Sequence, residues 1–255
     1  MNYPLISVIT VVRNDIKNIE RTLCSVTGQT YTNIEFIILD GASTDGTREV
    51  IEQWMQKNER QISNRKVRFL SEPDKGVYDA MNKGIKLSTG DYVIFMNSGD
   101  SFHDLSSIEM MHLEDVMQPN TIVYGDTYIT YGDAWQRESP KEFFNTYMKF
   151  KGIGICHQTM FFPGNELRKR QYDLSFHIVA DYALAYDMWK AGTSFLYKDI
   201  IVADYKWGGG ISSDPFGLVK VYKENARVAH QQWNPLFWAK IILEYWRLWQ
   251  KRRKE

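Results

Sequence analysis

Three apolar runs in the first hundred residues end in short polar segments able to bind a ligand. The first closes in Thr10-Val11-Val12-Arg13-Asn14, the second in Asp40-Gly41-Ala42-Ser43-Thr44-Asp45-Gly46-Thr47, and a later one in Asn97-Ser98-Gly99-Asp100. Each alone has an ordinary explanation, because Asp and Gly end strands and Asp45 can cap a helix. Together they place acids on one rim, and clustered carboxylates repel unless a cation or a hydrogen-bonding ligand sits among them. Further along, Asp181 stands at the opening of an amphipathic stretch, and its spacing alone reads as a helix cap.

The elements that must carry these ends follow from the apolar pattern. Leu5–Val12, Ile34–Asp40, Val67–Ser71 and Tyr92–Met96 read as strands, with continuous apolar character that suits a parallel sheet covered on both faces. Between them Ile16–Val26, Thr47–Lys57 and Val77–Leu87 carry apolar residues three and four apart and read as crossover helices, the first two preceded by Asp15 and Asp45 as caps. In such a sheet ligands bind beyond the carboxyl ends of the strands, which is where the acids lie. After residue 100 the spacing predicts strands over Ile122–Tyr131 and His157–Phe162, helices over Pro140–Tyr147 and Ala180–Ala191, and one or two strands over Phe195–Ala203. Trp207–Ser213 is expected to be a glycine-rich loop, with helix from about Pro215 onward.

With 255 residues the chain suits one main domain with a C-terminal appendage. We divide it at 1–213 and 214–255, and the first part into halves at about residue 100. Lys+Arg and Asp+Glu are both 31, so net charge gives no general case for nucleic-acid binding. Cys24 and Cys156 belong to no CxxC pair, which argues for reduced thiols rather than a disulfide framework or structural zinc. Met1 to Ile9 carries no charged leader or cleavage-site pattern, so the protein is not expected to be secreted, and no apolar run reaches the ~18 to 20 residues of a membrane span.

At the acidic strand ends the sequence resembles the inverting family-2 glycosyltransferases with the GT-A fold. Leu5–Asn14 is similar to their opening strand and nucleotide loop, Ile37–Thr47 to their VVDDGSTDGT segment, and Gly90–Asp100 to their GDYIxFLDxDD segment. The stretch Glu72-Pro73-Asp74-Lys75-Gly76-Val77-Tyr78-Asp79-Ala80-Met81-Asn82-Lys83-Gly84-Ile85 and the HQxxFF-like His157–Phe162 resemble a branch that serves bacterial exopolysaccharide, colanic acid and O-antigen assembly. The likeness covers roughly residues 4 to 205.

The resemblance implies a nucleotide-diphosphate sugar donor, a saccharide acceptor and a divalent cation, Mg²⁺ or Mn²⁺. It assigns the base contact to Asp40, with Thr10, Val11 and Arg13 lining the nucleoside pocket and Asn97 and Ser98 beside the donor. Asp100 matches the metal-binding acid and Asp181 the general base that deprotonates the acceptor, which reverses the cap reading. Lys75, with Arg13, is placed near the donor phosphates, although a solvated turn residue is the plainer reading of it. Tyr78 and Asp79 either face the sugar or merely open a helix. His157 and Gln158 approach the acceptor or diphosphate, unless the histidine is simply buried.

The sequence departs from the pattern at Gly41, Asn97, Gly99 and Ala180, where relatives carry acids. This thinning keeps a non-catalytic carbohydrate- or membrane-binding relative in play. A sugar nucleotidyltransferase is disfavoured, because no glycine precedes Gly28 to form its phosphate loop. In the tail, Lys240, Glu244, Arg247 and Lys251 make a narrow polar stripe on an otherwise apolar and aromatic helix ending in Lys251-Arg252-Arg253-Lys254. That pattern is expected to lie at the cytoplasmic face of a membrane, near polyprenyl diphosphate-linked acceptors, or else to pack on the domain or in a homo-oligomer.

Overall fold

The computed structural model describes residues 3–63, 65–140, 154–206, 215–230 and 234–252. The first half is a run of β–α units: β1 (Ile6–Val12), α1 (Ile19–Thr27), β2 (Ile34–Asp40), α2 (Thr47–Lys57) with a short α3 (Glu59–Ile62), β3 (Lys66–Ser71), α4 (Val77–Leu87) and β4 (Tyr92–Phe95). These four strands are parallel in the order β3-β2-β1-β4. The period-2 geometry of β1 sends Ile9 and Val11 into a core with Met81 and Ile85 of α4, and Ile6, Val8 and Val12 into a second core with Leu23 of α1 and Trp54 of α2. Hydrophobic burial on both faces explains why β1, β2 and β4 read as continuous apolar runs. The edge strand β3 is covered less, and its residues alternate between exposed and half-buried.

The second half extends the sheet. The two-residue β5 (Ser101–Phe102), β6 (Thr121–Tyr131), β7 (Ala134–Glu138), β8 (Met160–Pro163) and β9 (Ser194–Lys206) bring the order to β3-β2-β1-β4-β8-β6-β9-β5, with β7 on β6. Here the sheet turns mixed: β8 is antiparallel to β4 and β6, while β6 and β9 are parallel with an irregular register at Asp126. The helices are α5 (Gly164–Arg168), α6 (Ala180–Lys190), α7 (Pro215–Val228) and α8 (Pro235–Arg252). Leu184, Ala185 and Met188 of α6 pack into the same core as α4.

Three sequence expectations need correction. Helix α1 starts at Ile19 rather than Ile16, because the chain first makes a turn in which the Asn18 and Ile19 N–H groups bond the Asp15 carbonyl. The Asp15 carboxylate therefore does not cap the helix; it accepts from Asn18 Nδ2 and Ser98 Oγ. His157–Phe162 is not strand throughout, since His157–Thr159 is a 3₁₀ turn and pairing begins at Met160. The expected helix over Pro140–Tyr147 and loop over Trp207–Ser213 fall almost entirely outside the described residues, as does the 213/214 division. Both cysteines are free, and no described helix is long and apolar enough to cross a membrane.

Candidate active site

The strand order sets the layout of the rim. The turn after β3, the ends of β2 and β1, and the Asn97–Asp100 segment after β4 follow one another along the carboxyl ends. Because β8 runs antiparallel to β4, the turn that leads into it arrives beside Asn97 and Asp100. Asp40, at the end of β2, is 2% exposed. Its Oδ2 accepts from the Ser43 N–H at 3.1 Å and from Ser71 Oγ at 2.6 Å, and its Oδ1 from Ser43 Oγ. Thr10 is buried and donates to the Met96 carbonyl at 2.7 Å, tying β1 to the β4 end, and Val11 is buried in the core. Arg13 projects outward, its Nη1 4.0 Å from Asp74 Oδ1.

Asp100 is buried, its Oδ2 accepting from Gln158 Nε2 at 2.8 Å. Burial pushes its carboxyl up to about 6 against that hydrogen bond and the nearby His157 and Arg21, and the Asp15 carboxylate adds to the rise. Thr22 of α1 locks the turn: its hydroxyl donates to the Asp100 carbonyl at 2.7 Å and accepts from the Gly99 N–H at 3.1 Å. Ser98 is engaged with Asp15 at 2.7 Å. Asn97 Oδ1 is buried without a hydrogen-bond partner, and an orphaned acceptor beside a buried carboxylate is expensive unless a ligand completes it. Oxygen donors of this kind suit a hard divalent cation.

Asp181 is not the helix cap. Val179 holds that position and Asp181 lies in the first turn of α6, with Oδ1 on the Tyr182 N–H and Oδ2 3.5 Å from His157 Nδ1. The other ring nitrogen of His157 pairs with Asn97 Nδ2 at 3.1 Å. One turn of chain thus holds both key carboxylates, His157 touching Asp181 and Gln158 touching Asp100. Tyr78 of α4 donates to the Ile178 carbonyl at 2.6 Å and so fixes the approach to α6 rather than facing outward; burial pushes its phenol far up. Asp79 accepts the Lys75 N–H at 3.0 Å, as a helix-start residue does, and Lys75 itself is exposed on the turn.

Asp15, Asp74 and Glu224 are missing from the sequence-based set. Glu224, on α7, accepts from the backbone N–H groups of His177, Ile178 and Val179 at 2.9 to 3.1 Å, clamping the segment ahead of Asp181. No local pattern signals it, since its partners lie 45 to 47 residues away.

Residues 7–187 match the model of glycosyl transferase family 2. The chain is 28% identical over 222 residues to the PGL/p-HBAD biosynthesis glycosyltransferase of Mycobacterium bovis, covering 84% of this chain and 81% of that one. It is 39% identical over 99 residues to the putative teichuronic acid biosynthesis glycosyltransferase TuaG of Bacillus subtilis, 39% of this chain and 37% of that one. Among solved structures, the mannosyltransferase PcManGT of Pyrobaculum calidifontis, in complex with GDP-Man and Mn²⁺, shares its fold with a TM-score of 0.67 at 16% identity, over 95% of this chain and 74% of that one. S. aureus TarS 1-349 in complex with UDP-GlcNAc gives 0.63 at 18% identity, over 88% and 66%. With the family model spanning most of the chain and the acidic rim built on the shared sheet, the protein is a member of glycosyl transferase family 2.

Proposed function

We propose that the protein transfers a sugar from a nucleoside-diphosphate donor to a saccharide hydroxyl with inversion at the anomeric carbon. The observation that carries this is the pairing of His157 with Asp181 and of Gln158 with Asp100, which ties a partly exposed carboxylate and a buried one to a single turn at the rim. Asp181 takes the proton of the acceptor hydroxyl as its oxygen bonds the anomeric carbon. The bond from that carbon to the diphosphate breaks on the opposite side, and the nucleoside diphosphate leaves. A single displacement of this kind inverts configuration, so an α-linked donor gives a β-linked product.

Asp100 and Asn97 would hold Mg²⁺ or Mn²⁺. When bound, the cation supplies electrostatic stabilisation of the departing diphosphate. Asp40 and Arg13 form the nucleoside end of the site, with the buried Thr10 and Val11 supporting it from β1, Ser98 on the turn that carries Asp100 and Lys75 on the adjoining turn. His157 and Gln158 act by holding the two carboxylates, a more specific role than general proximity to the acceptor.

The similarity to proteins named for PGL/p-HBAD and teichuronic acid biosynthesis supports an acceptor in bacterial cell-surface polysaccharide assembly, and we extend this to a lipid-linked acceptor. The tail agrees with that setting. Phe237 and Ile241 of α8 are buried with Ala226 of α7, while Leu236, Ile242, Leu243 and Trp246 are exposed on the same helix. These exposed apolar side chains, with the basic run Lys251-Arg252-Arg253-Lys254 following in the sequence, suit the anionic cytoplasmic leaflet.

Release of UDP or GDP from a panel of nucleotide sugars, with and without Mn²⁺, tests the activity, and NMR of the product reads the anomeric configuration. Asp181→Asn should lower turnover by roughly two to four orders of magnitude with donor binding little changed, because the amide keeps the shape but cannot take the proton. Equal turnover in the two proteins would remove Asp181 from the reaction. Absence of release from every donor would favour a binding protein derived from a transferase.

A further inference from the structure

Asp74 lies at the nucleoside end of the rim, and the roles assigned above leave its carboxylate unexplained. The turn after β3 carries it inward, with Gly76 at φ +117° completing the turn, so that the side chain is only 6% exposed. Its Oδ1 accepts the Gly76 N–H at 2.8 Å and stands 4.0 Å from Arg13 Nη1. Its Oδ2 extends over Gly41, where any β-carbon would collide with it and crowd Arg13 Cδ. The absence of a side chain at position 41 thus has a physical reason: that space belongs to a carboxylate from another loop.

The two acids at this end differ in what they can still accept. Asp40 has hydrogen bonds to both oxygens from Ser43 and Ser71 and is almost wholly covered. Asp74 has one backbone hydrogen bond and a cation at the outer limit of ion pairing, a thin provision for a buried charge. A carboxylate there repels phosphate and attracts uncharged N–H and O–H donors. In strand order it also sits at the far side of Asp40 from Asp100, away from the cation and diphosphate end.

We propose that Asp74 is a nucleoside-recognition residue, its Oδ2 accepting a hydrogen bond from the donor nucleotide, and that Gly41 is required so that this carboxylate can enter. The inference rests on the nucleotide-sugar reading of the site. Two parts of a nucleoside present such a donor, a ribose hydroxyl and a ring or exocyclic N–H of the base, and the test separates them.

Calorimetric titration of the full chain with UDP and GDP in Mn²⁺ gives the preferred diphosphate. Asp74→Asn retains an oxygen for the Gly76 N–H but loses the charge and presents an amide over Gly41, so affinity should fall roughly ten- to a hundred-fold. Gly41→Ala should weaken binding comparably by displacing Asp74, and the double variant should bind within about threefold of the weaker single one, because both changes remove the same contact. The wild type should also discriminate against one analogue, either the 2′-deoxy diphosphate or a base lacking the N–H, such as N3-methyl-UDP or IDP in place of GDP. The discrimination that Asp74→Asn erases identifies the contact. Unchanged affinity and unchanged discrimination in Asp74→Asn, with a wild type that binds, would overturn the role of Asp74 alone. A wild type that binds neither diphosphate would overturn the donor-site reading and this inference with it.

Discussion

At the scale of single residues, the site depends on a carboxyl that burial disfavours. Asp100 titrates near 6 in the folded chain, above its unfolded value, so the native state holds its proton more tightly. Stability from this group is therefore greatest below about pH 4 and is lost as pH rises through about 6. Metal-free Asp100→Asn should accordingly be more stable than the wild type at pH 7.5, by on the order of 2 kcal/mol, with the gap closing toward pH 4. Urea melts in EDTA at the two pH values would read this, and a less stable variant at pH 7.5 would show that the carboxylate is satisfied without a cation. Binding of Mn²⁺ by the wild type should weaken as pH falls below about 6, because the proton and the cation compete. For His157→Ala the expected change is in turnover, a loss of about ten- to a hundred-fold with donor KM nearly constant, since Asp181 loses the contact that directs it. A change confined to KM would instead place His157 in donor binding.

At the scale of elements, the position of α6 is fixed from two directions. Tyr78 holds the Ile178 carbonyl from α4, and Glu224 takes the N–H groups of His177, Ile178 and Val179 from α7. The Glu224 side chain is only 14% exposed, and removing its carboxylate takes the partner from three backbone N–H groups, two of them partly buried. Glu224→Ala should cost about 2 kcal/mol of stability and lower turnover more than it changes donor affinity, because it loosens the segment before Asp181 and not the nucleoside end. Denaturant melts and single-turnover rates measure the two effects. Loss of donor affinity with normal turnover would show that α7 acts on the other end of the site.

For the molecule as a whole, α8 stands apart from the two large cores that flank the sheet. Its buried residues Phe237 and Ile241 form a separate small cluster with Ala226. Removal of residues beyond Asn234 should thus leave the sheet, α6 and α7 folded and able to transfer sugar to a soluble acceptor analogue. The shortened protein should no longer sediment with anionic vesicles, as each basic residue near such a surface contributes about 1 kcal/mol and the exposed apolar side chains add to it. High salt should weaken binding of the full chain without abolishing it, since the apolar share is unscreened. Aggregation or unfolding of the truncated protein would assign the exposed face to a protein contact.

The sequence alone determined the parallel half of the sheet. β2, α2 and α4 have the limits that their apolar periodicity predicts, because burial on both sheet faces imposes a local repeat that a single chain displays. It also marked Asp40 and Asp100, whose positions at the ends of apolar runs are local features, whereas Asp181 was singled out by the family resemblance, its spacing alone reading as a helix cap. Tertiary structure decided what those residues touch. The turn before β8 bridges Asp181 and Asp100 because β8 runs antiparallel to β4, a pairing between residues 92–93 and 162–163 that no local period encodes. For the same reason Asp15 read as a cap until α1 proved to start later, and Gly41 read as a missing acid until Asp74 filled its space. Local periodicity records which face of an element is buried, whereas the contacts that build the site join residues dozens of positions apart, and only the folded sheet brings them together.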